Sequence, residues 1–339
     1  MLDARTPSFR VLTRLRRTEA LRSLRRETRL TPDDLIQPIF VAEDARDAGP
    51  VPTLPGIHRV ALDDVAATAR EVAASGIRGV LVFGIPRAKD ESGGSAHERD
   101  GVVPRAVDAI KGMSPDLAVI TDVCLCQYTS HGHCGVSARA AGLDARTLEA
   151  LGKTATAHAA AGADLVAPSG MFDGTVHAIR AALDSGGFTQ TGILSYAVKY
   201  ASTLYGPFRT AAASAPTTGD RRSHQIDPAN AREALEEARA DVREGADAIM
   251  VKPAGPSLDV IARLRAAMPG TVLAAYQVSG EYAMLAGAAE RGWLDRRGAA
   301  LESLTVIKRA GADMIVSYWA ADAARWLDGR TSTAGRSAP

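Results

Sequence analysis

Ala160–Val166, AAGADLV, recurs in altered form as Glu244–Met250, EGADAIM, and as Arg309–Ile315, RAGADMI. Each copy closes a helical stretch at a glycine (Gly162, Gly245, Gly311) and opens an apolar run two residues later. A glycine takes the left-handed conformation that commonly ends a helix, and a buried strand just beyond it is the helix-to-strand joint of a parallel α/β fold. Outward from these copies, short apolar runs fall at Leu35–Val41, Gly79–Ile85, Ala118–Leu125, Asp164–Ser169, Thr191–Lys199, Asp247–Pro253, Thr271–Val278 and Asp313–Ala320. Segments of helical spacing separate most of them, among them Leu62–Ala74, Thr147–Ala161, Pro228–Glu244, Leu258–Ala267 and Leu301–Ala310. Alternating strand and helix predicts a parallel sheet. A doubly wound open sheet shares that alternation, and the count of about eight strands selects the (β/α)8 TIM barrel instead.

The barrel accounts for residues 33–328. Residues 1–32 read as a basic N-terminal arm, with Arg5, Arg10, Arg14, Arg16, Arg17, Arg22, Arg25, Arg26 and Arg29 but no apolar core of a secretory signal. Asp3, Glu19 and Glu27 also argue against a mitochondrial transit peptide. Residues from about 200 to 225 have no clear period, and a stretch that long inside one domain predicts an active-site lid. Residues 329–339 are small and polar and read as a disordered tail. A barrel of this size with an arm fits 339 residues without a second domain.

Forty basic residues against thirty-nine acidic leave a formal charge of +1, which gives no footprint for nucleic acid or a membrane surface and makes a small ligand the expected partner. No apolar run approaches the roughly 20 residues of a membrane span. All three cysteines lie between Cys124 and Cys134, the pattern of a metal site and not of a disulfide framework. A reducing, cytoplasmic location is expected.

Lys199 ends the run GILSYAVK and Lys252 ends DAIMVK. Barrel enzymes carry their chemistry at the C-terminal ends of strands. One such lysine often only marks where a strand meets water, but two at successive strand ends point to Schiff-base catalysis, because burial and a neighbouring cation both favour the neutral, nucleophilic amine. In TDVCLCQYTSHGHCG, Cys124 and Cys126 sit two apart at a strand end and a glycine turn through His131 and His133 returns Cys134 to them. Three thiolates hold one zinc with a position left for water or substrate; buried free cysteines, or a structural site closed by His131 or His133, are the alternatives. The lid stretch carries Arg209, Arg221, Arg222 and Gln225, suited to gripping a carboxylate, although arginines in loops are more often solvated. Ser279 in YQVSGEY and Tyr318 in IVSYWA offer hydroxyls near strand ends for a second carboxylate, where such residues are more often core or cap.

Taken together, DVCLCQYTSHGHCG, SYAVKYASTLYGPFR, SAPTTGDRRSHQIDPAN, EGADAIMVKP, YQVSGEYAM and ESLTVIKRAGADMIVSY resemble the porphobilinogen synthase (5-aminolevulinate dehydratase) family from about Leu35 to Ala320. The resemblance implies a lyase of tetrapyrrole and haem biosynthesis that condenses two molecules of 5-aminolevulinate with loss of two waters. It implies a Schiff base from Lys252 to the first substrate, whose carboxylate lies near Ser279 and Tyr318. Lys199 would hold the second, with its carboxylate gripped by Arg209, Arg221 and Gln225. It further implies a catalytic zinc on Cys124, Cys126 and Cys134, Asp122 and Ser169 on the floor of the site, and Tyr205 and Phe208 on its wall. An allosteric magnesium at Glu237 and a homo-octamer built from dimers through the arm complete the implied picture.

The chain departs from the family pattern where Ser-Asp-Met-Met-Asp-Gly-Arg reads SGMFDGT: Gly170 replaces an acid, Phe172 a methionine and Thr175 an arginine. His224 and Ser257 stand where tyrosine is usual. The absent acid at Gly170, beside Ser169, is expected to alter the tuning of Lys199. These departures motivate an alternative, a paralogue acting on another amino-ketone in specialised metabolism. A non-catalytic zinc barrel and a one-lysine aldolase are further readings, the first disfavoured by two retained lysines and the second by the cysteines.

Overall fold

Apolar residues occupy both faces of the strands, because one face lines the barrel and the other meets a helix layer. In the computed structural model, which describes residues 11–137 and 144–328, eight parallel strands form accordingly. They are β1 (Leu35–Ala42), β2 (Gly79–Ile85), β3 (Ala118–Val123), β4 (Leu165–Pro168), β5 (Gly192–Lys199), β6 (Ala248–Lys252), β7 (Val272–Gln277) and β8 (Met314–Ser317). Each pairs with the next, and β8 returns to β1 with Leu35 opposite Ile315 and Ile36 opposite Val316. The closed (β/α)8 barrel read from the sequence is the observed fold. The expected tail, 329–339, and the first ten residues of the basic arm lie outside the described residues.

The GAD repeat works as a clamp on every second strand. Its glycines take positive φ, +97° at Gly162, +111° at Gly245 and +123° at Gly311, which turns the helix end toward the sheet. Its aspartates then reach the start of the preceding strand. Asp164 accepts from Val119 N at 2.6 Å, Asp247 from Ile193 N at 2.7 Å and Asp313 from Leu273 N at 2.8 Å. The backbone N–H of the same three residues bonds back to the carbonyls of Val119, Ile193 and Leu273. Three of the eight neighbouring strand pairs are thus pinned at the end of the barrel away from the chemistry.

Strand starts agree with the sequence reading to within one residue, whereas five of the eight apolar runs overshoot the strand ends. β3 stops at Val123, β7 at Gln277 and β8 at Ser317, so Cys124, Ser279 and Tyr318 belong to the connections and not to strands. Helices at Val102–Met113, Thr175–Ser185, Ser279–Glu290 and Ala320–Leu327, and a hairpin of Gly49–Pro50 with His58–Ala61, were not legible as such. Ser279–Glu290 is rich in Gly and Ala and buries several sides, so it shows no apolar stripe. Among the described residues no helix is long and apolar enough to cross a membrane.

Candidate active site

Lys199 and Lys252 are direct partners across β5 and β6. Parallel neighbours in register put their side chains on one face about 5 Å apart at the backbone, so both amines enter the barrel mouth together. Both residues are nearly inaccessible, at 5% and 4% exposure. Lys199 Nζ donates to the Ser169 carbonyl at the end of β4. Lys252 Nζ lies among four rings, 4.3 Å from the centroid of Tyr276, 4.9 Å from Phe208, 5.1 Å from Tyr205 and 5.2 Å from Tyr196. Burial, and next the charge of Lys199, bring the Lys252 amine down to about 7. An amine near 7 is substantially neutral at physiological pH and is a nucleophile, which a lysine in water is not.

Asp122, on β3, is buried beside them. Burial pushes its carboxyl up, against hydrogen bonds from Gln127 and Ser169 and the fields of both lysines. Its Oδ2 accepts from Gln127 Nε2 at 3.1 Å, while Oδ1 has no partner. Gln127 Oε1 in turn receives the Cys126 thiol at 3.4 Å and so ties the carboxylate to the cysteines.

Cys124, Cys126 and Cys134 are buried with their sulfurs all within 4.8 Å of one another, and Cys124 and Cys126 are 3.3 Å apart. The convergence comes from the turn after β3 and not from strand alternation, which is a correction to the spacing argument. Gly132 is required here: its φ is +69°, and a Cβ would run into the Ala215 carbonyl of the facing segment. Hydrogen bonds from Cys124 and Cys126, with Arg221 close by, hold the Cys134 thiol well below its usual range. A buried set of three thiols around a shared negative charge is a donor set for a soft or borderline cation, and the residues therefore fit zinc. His131 and His133 do not close it, since their Nε2 atoms engage the carbonyls of Glu91 at 3.1 Å and Thr218 at 2.8 Å.

The stretch expected to be a lid is folded down over the mouth. It contains a helix, Gly206–Ala211, whose Phe208 meets Phe83 edge-to-face at 5.0 Å and Phe40 at a tilt at 5.7 Å. Ser279 Oγ accepts from Phe208 N at 3.0 Å and donates to the Leu204 carbonyl at 3.1 Å, so this hydroxyl holds the cover. Tyr205 donates to the carbonyls of Tyr200 and Lys252. Arg221 is buried and donates to the carbonyls of Gly132 and Ser214. Arg209 Nε, Arg221 Nε and Gln225 Nε2 are buried donors without partners, a deficit that an anion would satisfy. Burial, and then Arg221, lower the Arg209 guanidinium. Tyr318 accepts from Tyr276 at 3.1 Å on the opposite side of the mouth.

Of the residues named from the sequence, the structure gathers all but two groups. Arg222 is exposed and pairs with Asp220. Glu237 sits on the helix Glu233–Glu244 facing Asp173, Glu233 and Glu244, outside the site, with its carboxyl raised by burial and those charges. A Cβ at Gly170 would meet the Phe172 ring and Cys134, so this position borders the cysteine cluster. Tyr196 was missed: its ring lies beside both lysines, 5.6 Å from Lys199 Nζ and 5.2 Å from Lys252 Nζ, and its hydroxyl has no partner. Strict alternation would turn Tyr196 away from Lys199, but the register shift between Ser195 and Val198 brings both inward. An open groove of about 490 Å³ between the helices Ala145–Ala160 and Thr175–Ser185 shares no lining residue with this centre.

A closed barrel with its charged and nucleophilic groups converging at the C-terminal mouth defines a TIM-barrel enzyme, here a lyase. The chain belongs to the delta-aminolevulinic acid dehydratase family, whose model matches residues 10–326. Relatives bearing that name are 49% identical in Halalkalibacterium halodurans, covering 95% of this chain and 98% of the relative, and 53% identical in Methanothermobacter thermautotrophicus, covering 91% and 94%. The one from Escherichia coli is 49% identical over 92% and 95%. The crystal structure of the Toxoplasma gondii delta-aminolevulinic acid dehydratase (porphobilinogen synthase) in complex with its reaction product porphobilinogen superimposes with a TM-score of 0.92 at 40% identity, covering 98% of this chain and 96% of that one.

Proposed function

We propose that this enzyme is a porphobilinogen synthase, joining two molecules of 5-aminolevulinate with loss of two waters, through Schiff bases on Lys252 and Lys199. The observation that carries it is the register pairing of the two buried lysines, with the Lys252 amine brought to about 7. One ketone needs one lysine, and two adjacent strand ends supply two. In each case the amine attacks the ketone carbon and the carbonyl oxygen leaves as water after proton transfer. The two bound substrates are then held side by side, so that bond formation between them is effectively intramolecular. Asp122, with a free buried oxygen, is positioned to take and return protons, and the rings of Tyr196, Tyr205, Phe208 and Tyr276 exclude water.

Tyr318, and Ser279 once the cover moves, bind the carboxylate of the first substrate, and Arg209, Arg221 and Gln225 that of the second. The unpartnered donors of the second set support this division. Cys124, Cys126 and Cys134 would hold zinc, which would supply Lewis-acid chemistry beside the second substrate. The acidic face around Glu237 is the place for an allosteric magnesium. The chain acts in the cytoplasm as a homo-octamer in which arm 1–32 packs on a neighbouring subunit; the exposed Leu12, Leu15 and Leu24 of the arm favour such a contact.

The test is pyrrole formation from 5-aminolevulinate by purified, zinc-loaded protein, read with Ehrlich's reagent. Steady turnover supports the reading. No pyrrole, with borohydride still trapping substrate on the lysines, would transfer the machinery to another amino-ketone and favour the paralogue.

A further inference from the structure

We propose that His224 is a fourth ligand to the metal held by Cys124, Cys126 and Cys134, closing the site in the resting enzyme until a substrate amine takes its place. The inference rests on the reading of the three cysteines as a metal centre. Three thiolates leave one position of a tetrahedral site open. The two histidines nearest in sequence are committed to backbone carbonyls. His224 is not: its Nε2 is buried and without a hydrogen-bond partner, and its ring lies on Phe172, which packs with the three cysteines. The other ring nitrogen, Nδ1, meets Ser223 Oγ at 3.2 Å. That is how ligating histidines are usually oriented, one nitrogen held by a polar neighbour and the other free for the metal.

The local packing explains why an imidazole is seated there. The ring stacks on Phe172 with centroids 4.8 Å apart and planes at 24°, and Phe172 packs in one cluster with the three cysteines. The Phe172 carbonyl is held twice by Thr175, from Oγ1 at 2.7 Å and from N at 3.2 Å. Position 170 completes the seat. A Cβ there would lie 3.2 and 3.3 Å from Phe172 ring carbons and 3.7 Å from Cys134 Cβ, so any longer side chain would contest the space of the ring. Gly170, Phe172, Thr175 and His224 are therefore one contiguous arrangement: a glycine that makes room, a ring that fills it, a hydroxyl that holds the backbone carrying the ring, and an imidazole stacked on top.

On a bound metal the His224 imidazole would be a neutral donor that a neutral substrate amine could replace without any redox change or further reactant. The expected consequence is firmer metal retention than three thiolates alone provide.

The deciding measurement is zinc K-edge X-ray absorption on the full-length, zinc-loaded protein, with metal content determined in parallel. The expected result is three sulfurs at about 2.3 Å and one nitrogen at about 2.0 Å with the outer-shell scattering of an imidazole ring. In His224→Phe, which keeps the stack, that scattering disappears and zinc affinity, measured by competition with a chromophoric chelator, falls at least about tenfold. His224→Gln, a second variant, gives the same loss without an aromatic ring. A three-sulfur site lacking imidazole scattering in the unmodified protein overturns this inference alone. Protein that takes up no metal on sulfur, with Cys124→Ser indistinguishable from it, overturns the cysteine reading and this inference with it.

Discussion

Lys199→Met should raise the basicity of Lys252, and the size of the effect follows from the geometry. Both amines sit over the same ring, at 5.6 and 5.2 Å from the Tyr196 centroid, so they are at most about 11 Å apart. At an effective dielectric of about 20, two like charges at that separation repel by about 1.5 kcal/mol, which is about one pH unit and a lower bound because the true separation is shorter. Methionine is close to lysine in length, so the burial that is the larger cause of the Lys252 shift stays in place. The sign is unambiguous: removing a nearby positive charge favours the protonated amine, and the Lys252 value should climb from about 7 to about 8 or more. The assay is borohydride trapping of 5-aminolevulinate on the Lys252 peptide as a function of pH, read by mass spectrometry. Lys252 remains able to form its adduct while pyrrole formation stops. A trapping midpoint that stays put or moves down would refute the Coulombic contribution of Lys199.

Four further outcomes are expected. In the unmodified enzyme, kcat/KM should fall with a slope near one as pH drops below about 7, because the protonated Lys252 amine cannot attack a ketone; a flat profile through that region would contradict the assignment. Folding stability has the matching sign for this group: the unfolded chain binds the Lys252 proton more tightly, so the contribution of Lys252 improves as pH rises from about 7 toward its unfolded value of about 10.4. Phe208→Ala removes the ring packed on Phe40 and Phe83, a loss of about 3–5 kcal/mol in a well-packed site. Hydrogen exchange should then rise selectively across 200–225 while the barrel strands stay protected; uniform exchange would mean that the cover and barrel are one cooperative unit. Asp247→Ala strips the Ile193 N–H of its side-chain acceptor and should cost about 1–3 kcal/mol in denaturant unfolding with little change in turnover. Lost activity at unchanged stability would put that aspartate in the chemistry instead of the clamp.

The strand-helix alternation, the glycine joints and the two strand-end lysines were legible because each is a local pattern: apolar run length, positive-φ residues at helix ends, and a charge where a buried run stops. The cysteine cluster was legible from spacing, although the reason lay in a turn and not in a strand. The GAD motif was visible as a repeat, but its aspartates' grip on Val119, Ile193 and Leu273 was not, since each partner lies 40 or more residues away.

Sequence by itself therefore determined the barrel, the pair of lysines and the thiol set, all of which follow from short-range chemistry along the chain. Tertiary structure alone decided the rest. A register shift in β5 turned Tyr196 toward Lys199 against simple alternation, and the pairing of Lys199 with Lys252 set one amine in the field of the other. Closure of the cover buried Arg221 and engaged Ser279. The meeting of Gly170 and Phe172 with His224 beside the cysteines joins segments some fifty residues apart, and no pattern along the chain records that they meet. The physical reason is common to these cases: register, burial and long-range contact are fixed by how the strands and their loops pack, and packing is a property of the whole fold.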